Sequence, residues 1–400
     1  MTGSAIRSVE VLPLRLRLRE PFAVAYATIE HVQTVLVRLT VDDGTIGWGE
    51  ATPDEHVTGE SFEESVAALR DRLAPAVVGL SVDDVDGIVA LIDEVAPATP
   101  AARAAIDVAV HDAAAQRSGL PLWRFLERRI AAVGGVRSSK DHLQISRVVS
   151  KLDPDAMAVA AAAHVAAGFS TVKLKVGEPE DWELDVERVA AVRAAVGPDI
   201  GIKVDANQGW RVPDVAVIAM SAMRASEPRY VEQPVDRLDI EGLAEVRRRV
   251  PGVAVMADEA VAGEADVRRV VELGAADLVN LKLMKTGGLV HAVRADALCA
   301  AAGIGTQIGT MVESSVASAA GLHLAMALDN VATVEMGGPL MVTDDPGDLV
   351  RCYDGERVVL RSDRPGLGIT LTGVSARSVG SGAEHRGRQA QHPQRVDRLP

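Results

Sequence analysis

The chain has 400 residues, of which 48% are apolar, enough for one barrel-sized domain and a smaller second domain. Its formal net charge of −14 argues against nucleic acid and anionic membranes as partners. The two cysteines show no metal-binding or redox spacing, and no apolar run reaches membrane length. We therefore expect a cytoplasmic protein that acts on a small molecule.

The first 125 residues carry the patterns of an α+β domain. Residues 6–19 and 34–41 alternate between apolar and polar side chains, as half-buried strands do, and Asp42-Asp43-Gly44 is typical of a hairpin turn. Helical patterns follow at 61–73, 82–95 and 100–117. Residues 126–142 lose this periodicity, and we interpret them as a linker.

Residues 143–340 alternate short apolar strands with helical segments. The first strand is predicted at 143–149, and five more lie between Thr171 and Lys285, starting 24 to 30 residues apart. Strands at 304–310 and 332–336 complete eight. Repeated units of this length predict an α/β fold with a parallel barrel.

The C-terminal part is predicted to behave differently from the barrel. Residues 341–372 are expected to return to the first domain and to end in a short strand at 368–371. From residue 373 to 400 almost no apolar residues remain, so we expect a disordered tail.

Each of the five central strands carries a charged residue near its carboxyl end. Strands of a parallel barrel are buried on both faces, so a charge there costs several kcal/mol unless it is paired or binds a ligand. Active sites of such barrels lie at the carboxyl ends of the strands. The charges therefore predict an active site, formed by Lys173, Lys175, Asp205, Glu232, Asp258 and Lys282.

Three successive strands supply carboxylates, at Asp205, Glu232 and Asp258. Three ionised carboxylates cannot lie together without a cation, and oxygen ligands without His or Cys favour Mg²⁺ or Mn²⁺ over Zn²⁺. The alternative is a salt-bridge network that includes Lys203, one layer below Asp205.

Two lysines belong to the second and sixth of eight strands, which lie roughly opposite each other in a closed barrel. We expect Lys175 and Lys282 to act on opposite faces of a carboxylate substrate, one removing the α-proton and the other delivering a proton to the resulting enediolate. Lys173 could lower the pKa of Lys175, bind the substrate carboxylate or be structural. Lys285 has the other strand parity and precedes Gly-Gly, which favours a surface loop.

Five motifs carry a resemblance to a known family. They are Lys-Leu-Lys at 173–175, Val-Asp-Ala-Asn-Gln-Gly-Trp at 204–210, Val-Glu-Gln-Pro at 231–234, Ala-Asp-Glu at 257–259 and Asn-Leu-Lys-Leu-Met-Lys-Thr-Gly-Gly at 280–288. In order and spacing, residues 6–372 resemble the muconate-lactonizing-enzyme subgroup of the enolase superfamily. The resemblance implies a modified TIM barrel, (β/α)₇β, with an N-terminal α+β capping domain.

The same resemblance implies roles for individual residues. Mg²⁺ would be held by Asp205, Glu232 and Asp258, with Lys175 and Lys282 as acid and base. The loops at 21–28 and 51–60 would close over the site and select the substrate. Relatives of this subgroup commonly form homo-oligomers, which we also expect here.

Within the subgroup the chain is most similar to dipeptide epimerases, through Val-Thr-Gly-Glu at 57–60 and Thr-Met-Val-Glu-Ser at 310–314. Those enzymes usually carry an Asp-x-Asp pair on strand eight that holds the substrate ammonium, whereas this chain has Glu335-Met336-Gly337. One acid is lost, so an N-substituted or cyclic amino acid would fit better than a free dipeptide. Glu335, Glu313 and His56 are candidate substrate contacts.

Four functions are compatible with these residues. The first is a racemase or epimerase acting α to a carboxylate. The second is a cycloisomerase or dehydratase, of the muconate or hydroxyproline type, that uses the same enolate. The third is a metal-free Schiff-base lyase, which the three carboxylates argue against. The fourth, a non-catalytic binding protein, is disfavoured by the intact lysines.

Overall fold

An antiparallel sheet and a parallel sheet divide the structure, a computed structural model that describes residues 3–136, 138–178 and 180–373. The predicted tail lies outside the described residues, apart from Gly373. One continuous hydrophobic core runs through both sheets and their helices. Within the described ranges, no helix is both long enough and apolar enough to cross a membrane.

The N-terminal sheet has three antiparallel strands in sequence order. They are β1 (Ile6–Ala23), β2 (Thr28–Val41) and β3 (Ile46–Ala51). Much of the predicted loop at 21–28 is strand, because Phe22 pairs with Ile29 and both pack on a small apolar cluster around Val32. Only a short turn remains at the tip of this hairpin.

Helices cover this sheet on one side. They are α1 (Phe62–Ala67), α2 (Ala74–Val77), α3 (Val85–Val95), α4 (Pro100–Arg117) and α5 (Leu122–Ala132), with a π-helix at Ala68–Leu73 between α1 and α2. α4 packs directly on β3, where a Cβ atom at Gly47 or Gly49 would overlap a carbonyl oxygen of α4. Glycine is therefore required at both positions for this close approach.

The prediction that residues 126–142 lack regular structure is wrong for their first part, because α5 extends to Ala132. Leu122, Leu126 and Ile130 are buried at helical spacing. The predicted linker at 126–142 separates Leu122 from Leu126 and Ile130. Neither part of the pattern alone indicates a helix.

The second sheet has eight parallel strands in sequence order. They are β5 (Arg147–Val149), β6 (Thr171–Lys175), β7 (Gly201–Asp205), β8 (Tyr230–Glu232), β9 (Ala254–Ala257), β10 (Leu278–Leu281), β11 (Gly305–Ile308) and β12 (Val331–Val334). A parallel bridge between Ile145 and Val334 joins its two ends and closes the barrel.

Helical connections follow each of the first seven barrel strands. They are α6 (Pro154–Ala166), α7 (Trp182–Val196), α8 (Pro213–Ala222), α9 (Ile240–Arg249), α10 (Glu264–Leu273), α11 (Leu283–Thr286) with α12 (Leu289–Ala301), and α13 (Ser315–Ala327). Asp153 caps the start of α6, where its carboxylate accepts a hydrogen bond from Ala156 N at 2.9 Å. The observed architecture is the predicted (β/α)₇β barrel with an α+β cap.

The segment after β12 returns to the cap. Leu18 bridges to Val342, and Leu367 N donates to Asp112 of α4 at 2.8 Å. Two strand predictions here are corrected. Residues 143–149 divide between β5 and β4 (Leu143–Gln144), which pairs with β14 (Arg357–Val358) and, through it, β13 (Tyr353–Asp354). Residues 368–371 contribute only a bridge at Leu371, because no neighbouring strand continues beside them.

Candidate active site

The carboxyl ends of β6 to β10 bring the predicted charged side chains together. Lys175 pairs in register with Asp205, and Asp205 with Glu232, so these three residues lie at one level of the barrel. Asp258 directly follows β9, and Lys282 directly follows β10. All five are at most 9% exposed, as expected for side chains that point into the barrel.

The three carboxylates form one compact cluster. Asp205, Glu232 and Asp258 are completely buried and offer ligand oxygens within 4.8 Å of one another. Burial raises the pKa of Glu232, and the neighbouring Asp205 raises it further. Burial opposes ionisation of Asp205 too, but the ammonium groups of Lys173 and Lys175 lower its pKa to about 2. The cluster therefore depends on nearby positive charge.

The donor set fits a hard divalent cation. Within the described chain, Glu232 Oε2 and Asp258 Oδ2 have no hydrogen-bond partner, although lysine Nζ atoms lie 2.8 and 2.7 Å from them. These two buried oxygens belong to a cluster whose possible ligand atoms lie within 4.8 Å of one another. Oxygen ligands of this kind suit Mg²⁺.

Lys175 and Lys282 lie on either side of the cluster. Lys175 Nζ is 2.7 Å from Asp205 Oδ2 and 2.9 Å from Asn207 Oδ1, whereas Lys282 Nζ is 2.7 Å from Asp258 Oδ2. Burial alone would lower the pKa of Lys282, but Asp258 and Glu259 outweigh it and raise that pKa above its ordinary value. Both lysines line a cavity above the barrel.

Lys173 is surrounded by three carboxylates. Its Nζ lies 3.0 Å from Asp205 Oδ2, 2.8 Å from Glu232 Oε2 and 2.7 Å from Glu335 Oε2. Burial would lower its pKa, but these carboxylates together raise it well above the ordinary value. Its ammonium therefore stays charged and ties strands β6, β7, β8 and β12 together.

The prediction that Lys285 lies in a surface loop is wrong. Its side chain is 1% exposed, and its Nζ lies 2.6 Å from Asp258 Oδ1 and also contacts the Asp258 carbonyl oxygen. The alternation of side chains along a strand does not extend to Lys285, because the chain turns into the short helix α11 immediately after Lys282. That turn directs Lys285 back beneath Asp258.

Lys203 does lie in the layer below the carboxylates, but it contacts none of the three. Its Nζ binds Ser146 Oγ at 3.1 Å and Glu335 Oε1 at 3.4 Å, and it also reaches Thr333. The alternative salt-bridge network is therefore present around the three carboxylates, but Lys173, Lys175, Lys282 and Lys285 form it and Lys203 does not.

A simple count would have identified both of these lysines. The chain has 42 basic residues, of which 7 are lysines and the remaining 35 are arginines. Five of the seven lysines line the barrel interior, namely Lys173, Lys175, Lys203, Lys282 and Lys285. In a chain that otherwise prefers arginine, each lysine indicates a place where a compact ammonium is needed.

A cavity of about 330 Å³ separates the lysines from the cap. Both predicted lid loops line it, together with the hairpin strands beyond the first loop. From the loops and the hairpin strands the lining includes Phe22, Val24, Tyr26, Ile29, Thr52, Pro53, Asp54, Glu55, Val57 and Glu60, and Glu63 joins them from the first turn of α1.

His56 does not line this cavity. Its ring stacks on the ring of Tyr26, with 4.3 Å between the centroids. The Tyr26 hydroxyl donates to Asp54 Oδ2 at 3.0 Å, so the tip of the β1–β2 hairpin is attached to the second loop. The structure places His56 as a support of Tyr26 and not in contact with the cavity.

The two predicted substrate-binding glutamates differ in position. Glu335 lines the cavity, but its two carboxylate oxygens contact Lys173 and Lys203. Glu313 is buried outside the cavity lining, where burial and the neighbouring Glu50 raise its pKa to about 8. Neither Glu313 nor His56 lines the cavity, although Glu313 is near enough to Lys282 for that ammonium to lower its pKa in part.

Comparisons with known proteins agree with this geometry. Residues 6–126 match the mandelate racemase/muconate lactonizing enzyme N-terminal domain family, and residues 156–374 match the enolase C-terminal domain-like family. The chain belongs to the mandelate racemase/muconate lactonizing enzyme family of the enolase superfamily. The predicted family and fold are thereby confirmed.

Several relatives that are at least 30% identical to this chain are racemases or epimerases, as predicted. The chain is 36% identical to the N-succinyl-L-Arg/Lys racemase of Bacillus cereus over 92% of this chain and 95% of the relative. It is 31% identical to the L-Lys-D/L-Arg epimerase of Methylococcus capsulatus over 91% of this chain and 98% of that enzyme.

Solved structures extend the comparison. The crystal structure of the Bacillus cereus racemase has a TM-score of 0.87. The alignment covers 92% of this chain and 96% of that structure. The dipeptide epimerase of Enterococcus faecalis, complexed with Mg and L-Leu-L-Tyr, has a TM-score of 0.84 at 33% identity, covering 92% of this chain and 99% of that structure.

Proposed function

We propose that this protein is a Mg²⁺-dependent racemase or epimerase that exchanges the α-proton of an N-substituted amino acid through an enediolate. One observation carries the proposal. Two lysines that line the cavity, Lys175 and Lys282, stand on either side of a buried cluster of three carboxylates. Inversion at a carbon needs a base on one face and an acid on the other, and this arrangement supplies both.

Asp205, Glu232 and Asp258 would hold the ion, and Mn²⁺ would suit the same oxygen ligands. A bound divalent cation supplies positive charge that stabilises the enediolate and offsets the carboxylates that raise the pKa of Lys282. Side chains of this protein would transfer the protons and hold the carboxylates in place.

Lys175 and Lys282 exchange roles with the direction of the reaction. The lysine on the side of the α-hydrogen, in its neutral form, accepts the proton. The opposite lysine, in its ammonium form, donates a proton to the other face of the planar α-carbon. Lys173 remains charged between Asp205, Glu232 and Glu335 and holds these carboxylates in place.

The contacts of Glu335 favour a substrate whose nitrogen carries an uncharged acyl substituent. A free substrate ammonium would need an acid at the end of β12, but the oxygens of Glu335 already contact Lys173 at 2.7 Å and Lys203 at 3.4 Å. A buried ammonium without a partner would cost several kcal/mol. An acylated nitrogen carries no charge and avoids this cost.

The side chain of the substrate would face the lid loops. Asp54, Glu55 and Glu63 line this part of the cavity, and no arginine or lysine of the lid loops joins them there. Glu55 and Glu63 form no ion pair within the described residues. This negative wall favours a substrate with a positively charged side chain, which agrees with the arginine and lysine derivatives named for two relatives.

We also infer that residues 1–125 supply the lid and residues 143–340 the catalytic groups, because both contribute to one cavity. Residues 341–372 would join the two parts. We propose that the linker consists only of the residues between α5 and residue 142. We also propose that the protein forms a homo-oligomer.

The test is a racemisation assay followed by chiral chromatography. Substrates are N-acetyl and N-succinyl arginine, N-acetyl leucine, N-acetyl glutamate and the dipeptide L-Ala-L-Arg, each with Mg²⁺, Mn²⁺ or EDTA. We expect N-acylated arginine to racemise at least tenfold faster than the other substrates, and EDTA to abolish the activity. Faster reaction of the dipeptide, full activity in EDTA, or an unsaturated or lactone product would contradict the proposal.

A matched pair of variants tests the negative wall. Glu63→Gln should reduce the preference for N-acetyl arginine over N-acetyl leucine. Glu64→Gln is the control, because Glu64 does not line the cavity and its carboxylate is bound to Ser61. Equal preference in both variants would show that Glu63 does not select the substrate.

A further inference from the structure

Lys285 is the one lysine of the α11 turn that does not line the cavity. Its Nζ lies 2.6 Å from Asp258 Oδ1 and 3.0 Å from the carbonyl oxygen of Asn280, and it also contacts the carbonyl oxygen of Asp258. An ammonium has three hydrogens to donate, and here three acceptors surround it. Lys285 is therefore fully occupied within the protein and cannot reach a substrate.

Two lysines divide Asp258 between them. Lys285 contacts Oδ1 from below, whereas Lys282 lies 2.7 Å from Oδ2 on the cavity side. Only Oδ2 lacks a hydrogen bond. The carboxylate is thus fixed in one orientation, with Oδ1 committed to Lys285 and Oδ2 beside Lys282.

Asn280 supports the same arrangement from β10. Its side-chain amide donates to Glu232 Oε1 at 2.8 Å, and its carbonyl oxygen accepts from Lys285. Asn280 and Lys285 together hold one oxygen of each of two neighbouring carboxylates. The oxygens left without hydrogen bonds are Glu232 Oε2 and Asp258 Oδ2, and both belong to the cluster whose possible ligand atoms lie within 4.8 Å of one another.

We propose that Lys285 is a positioning residue that orients Asp258 for the divalent cation and thereby sets the affinity of the site. The inference rests on the proposed function, since it concerns the same carboxylates. Charge alone predicts the opposite effect, because a lysine ammonium this close to Asp258 should repel a cation. The two effects differ in sign, so metal binding distinguishes them without any activity measurement.

The experiment is calorimetric titration of Mg²⁺ into the EDTA-treated full-length protein, comparing wild type with Lys285→Met and Lys285→Gln. Loss of a partner that orients a metal ligand typically weakens binding about 10- to 100-fold. We expect a weakening in this range for Lys285→Met. The Gln variant keeps a hydrogen-bond donor, so it should bind more tightly than Met and provides the measurement if Met does not fold.

Lys203→Met is the matched control, because Lys203 is equally buried in the barrel but contacts no member of the carboxylate cluster. Its Mg²⁺ affinity should stay within about threefold of wild type. Unchanged or tighter binding by the Lys285 variants, or equal weakening by Lys203→Met, would overturn the positioning role while wild-type binding still supports the proposed function. Wild-type protein that binds no Mg²⁺ would overturn both.

Discussion

Lys175 and Lys282 differ from the arginines of this chain in a property that the proposed chemistry requires. An ammonium can lose its proton in a buried site, whereas a guanidinium stays charged. Both lysines reach the cavity from opposite sides of one carboxylate cluster. Either one can therefore serve as the base, and the remaining one as the acid.

Replacing each lysine separately tests this assignment. Lys175→Met and Lys282→Met should each slow racemisation roughly 10²- to 10⁴-fold, because one proton transfer loses its catalyst. Each variant should still exchange the α-proton of one enantiomer with D₂O, and the two variants should prefer opposite enantiomers, as followed by proton NMR.

Lys140→Met is the control, since Lys140 contacts the Leu328 carbonyl oxygen before β12 and does not line the cavity. It should racemise substrate at the wild-type rate. Exchange of the same enantiomer by both active-site variants would contradict the two-sided arrangement.

At the residue scale, the sequence predicted identities better than partners. Lys175, Asp205, Glu232, Asp258 and Lys282 could be predicted because buried strands seldom carry charges without a function. The contacts of Glu335 could not, because Lys173 and Lys203 reach it from strands more than 130 residues away. Lys285 was misplaced because strand parity was extended into a helix.

One glutamate of β3 connects the cap to a barrel helix. Glu50 is completely buried, and its carboxylate accepts hydrogen bonds from Ser314 N at 3.0 Å and Ala317 N at 2.9 Å, at the start of α13. It also accepts from the hydroxyls of Ser314 and Thr34 at 2.6 and 2.8 Å. A carboxylate at a helix N-terminus satisfies amides that have no partner within the helix.

Glu50→Ala should lower the free energy of unfolding by about 3 kcal/mol, because buried donors at the start of α13 lose their acceptor. Denaturant unfolding measures this effect. Glu10→Ala is the control, since Glu10 forms a partly exposed ion pair with Arg38 near the protein surface, and surface pairs contribute about 1 kcal/mol or less. Equal losses in the two variants would show that the contact between β3 and α13 contributes nothing special.

At the element scale, helix and strand patterns were predictable where local signals agree. The bounds of α4 match the prediction, because Pro100 follows Thr99 at its start and Gly119 follows its end. β5 and β4 could not be separated in advance, since one apolar stretch supplies short strands to two different sheets. That choice depends on partners more than 180 residues away.

Cap and barrel share one hydrophobic core, so we expect them to unfold together. Glu313 and Glu50 lie near each other where these two parts meet, and burial together with Glu50 raises the pKa of Glu313 from its ordinary 4.5 to about 8. The folded protein therefore keeps a proton on Glu313 that the unfolded chain releases at lower pH.

Stability should consequently fall as pH rises. Between about pH 4.5 and 8, the unfolded state loses this proton while the folded state retains it, so stability is lost as pH rises through the folded pKa. The whole shift is on the order of 5 kcal/mol, at about 1.4 kcal/mol per unit. Glu313→Gln should flatten the decline between about pH 4.5 and 8 in denaturant unfolding, and an unchanged slope would contradict this role.

At the scale of the whole molecule, the sequence predicted the topology and not the shape of the cavity. Repeated β/α units determine a parallel barrel almost by themselves. The shape of the cavity depends on contacts within the cap, such as the Tyr26–Asp54 hydrogen bond and the stacking of His56 on Tyr26. No local pattern encodes these contacts.

We propose that Lys175 and Lys282 act on opposite faces of one α-carbon. Measurement of early product formation in D₂O tests this arrangement. A single enantiomer of N-acetyl arginine is incubated with the Mg²⁺-loaded enzyme, and product and remaining substrate are separated by chiral chromatography for mass spectrometry. We expect deuterium at the α-carbon of the product from the first turnovers, while the remaining substrate still carries protium. Product that retains the original protium would show that one group moves the proton on its own and would contradict the account.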